Sequence, residues 1–298
     1  MEGIYNKLKT QLEKRLTIPE DKPEETIESS LKALWFRAAG IPKSVEFVNE
    51  LPLPELSEHQ ISLLNQLVEQ RLNGLPLAYI TGRQSFMGVE LLSDKRALIP
   101  RKETEILGGI AIEFCQRLSQ SKQNITIFDV CCGSGNLGLV LAHSFPDIFV
   151  FASDISPEAV ELTRENITFL NLNNRINVCQ SDLFSAFESK DYYEKIDLIV
   201  CNPPYISSSK VAKMDPEISE NEPAMAFDGG MIGFKIIQKI IKEAPKFLSP
   251  HGWLIFEIGA GQGPFIIQLI EKSQNYKRIG AFPDDNIRVI FASCSNLM

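Results

Sequence analysis

Asn202-Pro203-Pro204-Tyr205 sets a planar amide, two imino acids and a phenol side by side. That combination suits chemistry at a planar nitrogen. An amide or aromatic amine keeps its lone pair in a π system, so methylating it requires both N–H bonds to be held while the lone pair faces an electrophilic methyl. The Asn202 side-chain oxygen and the Pro203 carbonyl can accept those two hydrogens. Pro203 and Pro204 fix the backbone direction and add no competing N–H, and Tyr205 offers an aromatic wall. No strong base is needed, because alignment and acceptor dipoles would supply the catalysis. His143 and His251 read as ordinary surface or helix residues. The bland alternative is an Asn-Pro turn ending a strand.

A second constellation lies upstream, where Asp129 to Gly138 carries Gly133, Gly135 and Gly138 in a Gly-x-Gly-x-x-Gly spacing. At a strand-to-helix junction such a loop lets backbone amides approach a ligand at a helix N-terminus. Asp154 follows at the end of the next strand, where an acid can accept from a ribose diol. Asp182 follows the strand after that and could take the exocyclic amine of an adenine, with Leu183 and Phe184 covering its faces. Taken singly, each acid also fits a solvated loop or a helix cap. Jointly they suit S-adenosylmethionine or NAD. The cofactor-binding candidates here are Asp129, Cys131, Gly133, Ser134, Gly135, Asp154, Ile155, Asp182 and Leu183. Cys131 and Cys132 read as apolar fillers beside the ligand rather than redox groups.

These residues need a scaffold of alternating strands and helices. Helices are expected over 103–119, 136–143, from 156, 234–247 and 262–273, and strands over 125–130, 148–153, 176–180, 196–201 and 253–258, with two terminal β runs. The alternation predicts an α/β fold with a doubly wound, mostly parallel sheet. Ahead of it Ile4, Leu8, Leu12 and Leu16, then Ile27, Leu31, Leu34 and Trp35, repeat at helical spacing. Ser57 opens a third helix with a Ser-x-x-Gln capping box, and Gly74 closes it. Short β-like runs over 77–100 suggest a hairpin linker. The expected domains are a helical unit at 1–75, a linker at 76–100 and a sheet domain at 101–298. The segment 206–227 is long enough for a lid, and a plain surface loop fits it as well.

The 298 residues exceed one ordinary domain, and 30 Lys and Arg against 38 Asp and Glu leave a net charge of −8. An acidic balance argues against stable nucleic-acid binding through phosphates. Six cysteines without a Cys-x-x-Cys pair and three histidines make a metal site unexpected. No apolar leader or membrane span is evident, so a cytoplasmic protein with reduced thiols is expected.

The residues resemble the protein-(glutamine-N5) methyltransferases of the HemK type, which modify the Gly-Gly-Gln loop of peptide-chain release factors. The likeness runs through Gly74 to Gly82 with Phe86 and Gly88, Leu98 to Glu105, Asn202 to Tyr205, Glu222-Pro223 with Asp228 to Gly230, and Glu257 to Gly259 with Gln262. It implies a seven-stranded Rossmann-like methyltransferase sheet with a small N-terminal all-α domain that grips a release factor; a monomer is expected. It implies that Asp154, Leu183 and Asn202 touch S-adenosylmethionine and that Asn202 to Tyr205 touch the glutamine. Three departures stand out: Cys131 in place of a glycine, Lys102 in place of a proline, and no glycine in the run Asp284 to Val289. Other acceptors remain open, namely another protein amide, a small-molecule amine or the adenine amine of DNA. So does a cofactor-binding protein without catalysis.

Overall fold

Helical spacing in the first third of the chain and strand–helix alternation in the rest build different units. A computed structural model describes residues 1–18, 22–283 and 286–294; Asp284 and Asp285, part of the third departure, lie outside them. One unit is Met1–Lys102 with Met214–Glu222, and the other is Glu103–Lys213 with Pro223–Met298.

The first unit contains helices α1 (Glu2–Arg15), α2 (Ile27–Ala38), α3 (Val45–Val48), α4 (Glu58–Leu72) and α5 (Leu77–Thr81). Thr26 and Ser57 cap α2 and α4 with reciprocal capping boxes, through Ser29 and Gln60. Leu8, Leu12, Leu34, Trp35 and Leu64 fill its core, and the Trp35 indole N–H donates to the Pro54 carbonyl at 2.8 Å. The expected β texture over 77–100 fails at its start. Leu77 and Ile80 join the helical core, so Leu77–Thr81 form a helical turn that ends at Gly82, φ 71. The hairpin begins only afterwards, as β1 (Arg83–Phe86) and β2 (Val89–Leu92), turning on Met87 and Gly88 at positive φ.

The second unit runs α6 (Thr104–Ser119), β3 (Ile125–Val130), α7 (Asn136–Ser144), β4 (Ile148–Asp154), α8 (Pro157–Phe169), β5 (Ile176–Gln180), β6 (Ile196–Cys201) and α9 (Ser208–Val211). A short α10 (Pro216–Ser219) folds with the first unit. Then come α11 (Lys235–Glu243), β7 (Leu248–Glu257), α12 (Gly263–Ser273), β8 (Tyr276–Phe282) and β9 (Val289–Cys294). The expected helix over 234–247 stops at Glu243, and a 3-10 turn holding Pro245 follows it. Seven strands form one sheet in the order β5-β4-β3-β6-β7-β9-β8. The first five are mutually parallel, and β9 runs antiparallel to both its neighbours. All six residues of β6 are buried, as a central parallel strand covered on both faces requires.

The topology places the site. From β3 the chain steps outward to β4 and β5, then crosses back to β6 on the opposite side of β3. Strand order reverses there, and ligands bind outside the carboxyl ends of strands at such a reversal.

Candidate active site

The glycine loop leaves β3 at the reversal point. Cys131 sits at φ 59 and Gly133 at φ 56, and Gly135 at φ 83 directly precedes α7. Left-handed backbone costs little for glycine and roughly 1–2 kcal/mol for a residue with a Cβ, so Cys131 stores strain in the first turn. Gly135 is required for space as well, since a Cβ there would come within 2.8 Å of the Thr163 methyl. Thr163 Oγ1 donates to the Gly133 carbonyl at 2.8 Å and Asn166 Nδ2 to the Ser134 carbonyl at 3.1 Å. The loop is therefore held from beneath by α8, leaving its upper face to a ligand.

Two acids meet this loop. Asp154 Oδ2 accepts the Gly133 N–H at 2.9 Å and Oδ1 the Ser156 N–H at 3.0 Å. A carboxylate has further lone pairs for two hydroxyls. Burial pushes the Asp154 carboxyl above its usual range, against the pull of those backbone donors. Asp129 is 1% exposed; its Oδ2 accepts the Gly138 N–H at 2.8 Å, while Oδ1 has no partner among the described residues. Burial lifts its pKa to about 7, with the Gly138 N–H opposing and the Asp154 charge adding to the rise. Ser134 Oγ is likewise buried with no partner among the described residues.

Farther along the strand ends, Ile155 is half exposed beside Asp154, and Leu183 is buried at φ 52. The Asp182 carboxylate is exposed and ion-paired with Lys239 at 2.7 Å. Phe184 does not cover a ligand face as expected: it is fully buried and stacked on Phe247, ring centroids 5.0 Å apart. Its side chain belongs to the core beneath the sheet end.

The second motif begins one strand away. Asn202 Nδ2 donates to Thr104 Oγ1 at 3.0 Å, which engages the amide's only donor end with a buried hydroxyl on the first turn of α6. No protein group among the described residues donates to Asn202 Oδ1. The Tyr205 hydroxyl donates to Glu257 Oε1 at 2.8 Å. Glu257 is 2% exposed at the end of β7, and burial raises its pKa while Tyr205, Thr104 and Arg288 pull it down. Burial, with Glu257 adding, holds the Tyr205 phenol far above its ordinary value, so it stays a neutral donor.

The backbone of the motif is clamped too. Gln262 Nε2 donates to the Tyr205 carbonyl at 2.9 Å while its Oε1 accepts the Gly259 N–H at 2.8 Å. Ile206 forms a parallel bridge with Asp228, with the Ile206 N–H on the Phe227 carbonyl at 3.0 Å and the Gly229 N–H on the Ile206 carbonyl at 2.8 Å. At Gly233, φ 75, any Cβ would overlap the Tyr205 carbonyl oxygen.

Asp129, Cys131, Gly133, Ser134, Gly135 and Asp154 thus gather around one loop, and Asn202 to Tyr205 start at the end of the strand beside it. Asp182 is directed to a surface lysine. Three residues with positioning roles, Thr104, Glu257 and Gln262, sit in runs that the family likeness singles out, yet no local pattern assigns them a partner. Thr104 and Asn202 are 98 residues apart, and Tyr205 and Glu257 are 52 apart.

The family described as methyltransferase small domain matches residues 113–221, and the one described as PrmC N-terminal domain matches residues 52–82. Release factor glutamine methyltransferase from Thermodesulfovibrio yellowstonii is 35% identical over 209 residues, 70% of this chain and 72% of that protein. The protein of the same name from Chlamydia trachomatis serovar D is 37% identical over 215 residues, covering 72% and 71%. Among solved structures, the hMettl16 catalytic domain in complex with MAT2A 3'UTR hairpin 6 superposes with a TM-score of 0.54 at 15% identity, over 71% of this chain and 77% of that one. That likeness concerns the fold.

Proposed function

The chain belongs to the release factor glutamine methyltransferase family, and from that premise we propose that it transfers a methyl group from S-adenosylmethionine to the side-chain amide nitrogen of a protein glutamine, in the Gly-Gly-Gln loop of a peptide-chain release factor. The observation that carries the reading is the orientation of Asn202. With Nδ2 bonded to Thr104, the oxygen end of this amide is left to accept an N–H from the substrate, and the Pro203 carbonyl can accept the other. Both N–H bonds then lie in the amide plane, and the nitrogen lone pair stands perpendicular to it.

The glycine loop fits the methyl donor. Asp129 Oδ1 and Ser134 Oγ, without partners among the described residues, offer acceptors for an ammonium group, the Asp154 carboxylate suits a ribose diol, and Ile155 and Leu183 supply apolar surface for a base. Asp182 would reach the exocyclic amine by exchanging Lys239. Bound there, S-adenosylmethionine supplies a methyl on a positively charged sulfur. Tyr205, fixed by Glu257, walls the acceptor amide, and Asn202 with Pro203 favours the charge that develops on its nitrogen. Asn202 Oδ1 and the Pro203 carbonyl would hold the two N–H bonds of the amide while its nitrogen accepts the methyl, and one amide proton would then be released to water.

On this reading the first unit recognises the partner protein, and the enzyme works as a cytoplasmic monomer without stable nucleic-acid binding. The net charge of −8 favours a basic protein partner over DNA, and no described helix is long and apolar enough to cross a membrane. The test is mass spectrometry of purified release factor incubated with the chain and the methyl donor. One methyl on the Gly-Gly-Gln glutamine, absent with Asn202→Ala, is expected; an unmodified glutamine with the wild-type chain would discard the reading.

A further inference from the structure

The chain that leaves Tyr205 makes an excursion before it returns to Gly229. Met214–Glu222 folds with the helical unit, although the residues on both sides of it belong to the sheet unit. Such a short segment is held at three points. Glu217, on α10, accepts from Lys22 Nζ and from Arg71 Nη1, both at 2.8 Å, with side-chain exposures of 10%, 3% and 0% for Glu217, Lys22 and Arg71. Arg71 also gives Nη2 to Glu25 at 3.0 Å. Two cations and two carboxylates thus close a charge-balanced, buried cluster. Next, Asn221 Nδ2 donates to the Gly74 carbonyl at 3.2 Å. Finally Glu222, 4% exposed, accepts the Ile99 N–H at 3.0 Å and pairs with the Arg101 guanidinium.

Charges this deeply buried persist only where they are paired. Burial would raise the Glu217 carboxyl, but Arg71 and Lys22 outweigh it and hold the group below its ordinary value, so it docks as a carboxylate. Replacing it by a neutral side chain leaves Lys22 and Arg71 facing Glu25 alone. The excursion's two ends are meanwhile bonded to each other beside the acceptor motif, through Ile206 with Phe227 and Gly229 and through the Ser208 N–H on the Gly230 carbonyl at 3.1 Å. A loop that only fills space needs neither a buried ionic dock nor a zipped base.

We propose that Glu217 is a positioning residue whose ion pairs with Lys22 and Arg71 dock this excursion on the helical unit and so hold the flank of the acceptor motif, residues 206–208 and 227–230, ready for the substrate glutamine. The inference deepens the function proposed above and rests on it. It makes the segment a docked strap rather than a free lid.

The experiment compares the full chain with Glu217→Gln and Glu217→Asp by amide hydrogen exchange over 206–230, by calorimetric affinity for S-adenosylmethionine, and by methyl-transfer kinetics on a release factor. For Glu217→Gln, exchange over 206–230 should rise by about tenfold or more. KM for the protein should rise and kcat/KM fall by about tenfold or more, with cofactor affinity within about twofold of wild type, and Glu217→Asp should recover part of the loss. Exchange and KM unchanged in Glu217→Gln would overturn the proposal, as would cofactor affinity falling in step with activity, the mark of a general loss of fold. Should the wild-type chain leave release factor unmethylated, the functional reading fails by itself, and the exchange measurement still decides the docking.

Discussion

Val130 and Cys201 stand opposite each other as Cα partners at the ends of the parallel strands β3 and β6. The next residue on β3 opens the glycine loop, and the next on β6 is Asn202. One register position therefore sets the cofactor loop and the acceptor motif side by side, and a slip of one residue would turn every side chain of β6 to the other face. Asn202 sits at that junction with its amide oriented by Thr104. Asn202→Ala should lower kcat for methyl transfer by about 10²–10³, the usual cost of losing a positioned acceptor at a charge-developing site. Steady-state kinetics with release factor checks this, alongside cofactor affinity, which should change far less.

Thr104→Val keeps the shape of the side chain and removes its hydroxyl. The Asn202 amide, no longer tied at Nδ2, is free to flip and present a donor where the substrate also has donors. A loss of about tenfold or more in kcat, with thermal stability lowered by only about 1 kcal/mol, is the expected pattern. A large stability loss with kcat retained would mean that the contact serves the core.

Tyr205→Phe removes the donor to Glu257 Oε1, while Oε2 already lacks a partner among the described residues. Losing this bond to a buried carboxyl should cost about 1–3 kcal/mol, visible as a lower denaturation midpoint. Adding Glu257→Gln should restore part of that stability, because a neutral amide is cheaper to bury. Because Phe retains the aromatic wall, the double variant isolates the charge penalty at Glu257.

The pH dependence follows from Asp129. Its folded pKa, about 7, lies above the unfolded value near 3.9, so the folded state holds the proton more tightly. The stability this provides is complete below about pH 4 and is lost as pH rises toward 7, with a slope approaching about 1.4 kcal/mol per pH unit. Asp129→Asn should flatten that part of the profile for the apo protein, measured as urea midpoints at several pH values. A cation bound at Oδ1 favours the carboxylate, so affinity for S-adenosylmethionine should strengthen as pH rises through about 7.

Cys131 holds a left-handed backbone at φ 59. Cys131→Gly should relieve up to about 1–2 kcal/mol of strain, offset by glycine's greater unfolded-state entropy. A thermal midpoint equal to or above that of wild type, with turnover preserved, is expected; a large fall in turnover would assign the thiol a role at the cofactor loop.

What the sequence determined by itself is local or periodic. The glycine spacing, the Asn202 motif at a strand end, both capping boxes and the strand–helix alternation follow from neighbouring residues, whose propensities act over a few positions, and together they imply the doubly wound sheet. Tertiary structure decided whatever depends on partners far apart in the chain. The helical turn at Leu77–Thr81 prevails over a β-like texture because Leu77 and Ile80 find the helical core. Phe184 is drawn into the core by Phe247, and Asp182 is taken by Lys239. Thr104, Glu257 and Gln262 acquire their roles from contacts spanning 98, 52 and 57 residues. Glu217 meets Lys22 and Arg71 across 195 and 146 residues. Such pairings carry no periodic trace, because a hydrogen bond or ion pair depends on where two side chains end in space, and only the folded chain sets that.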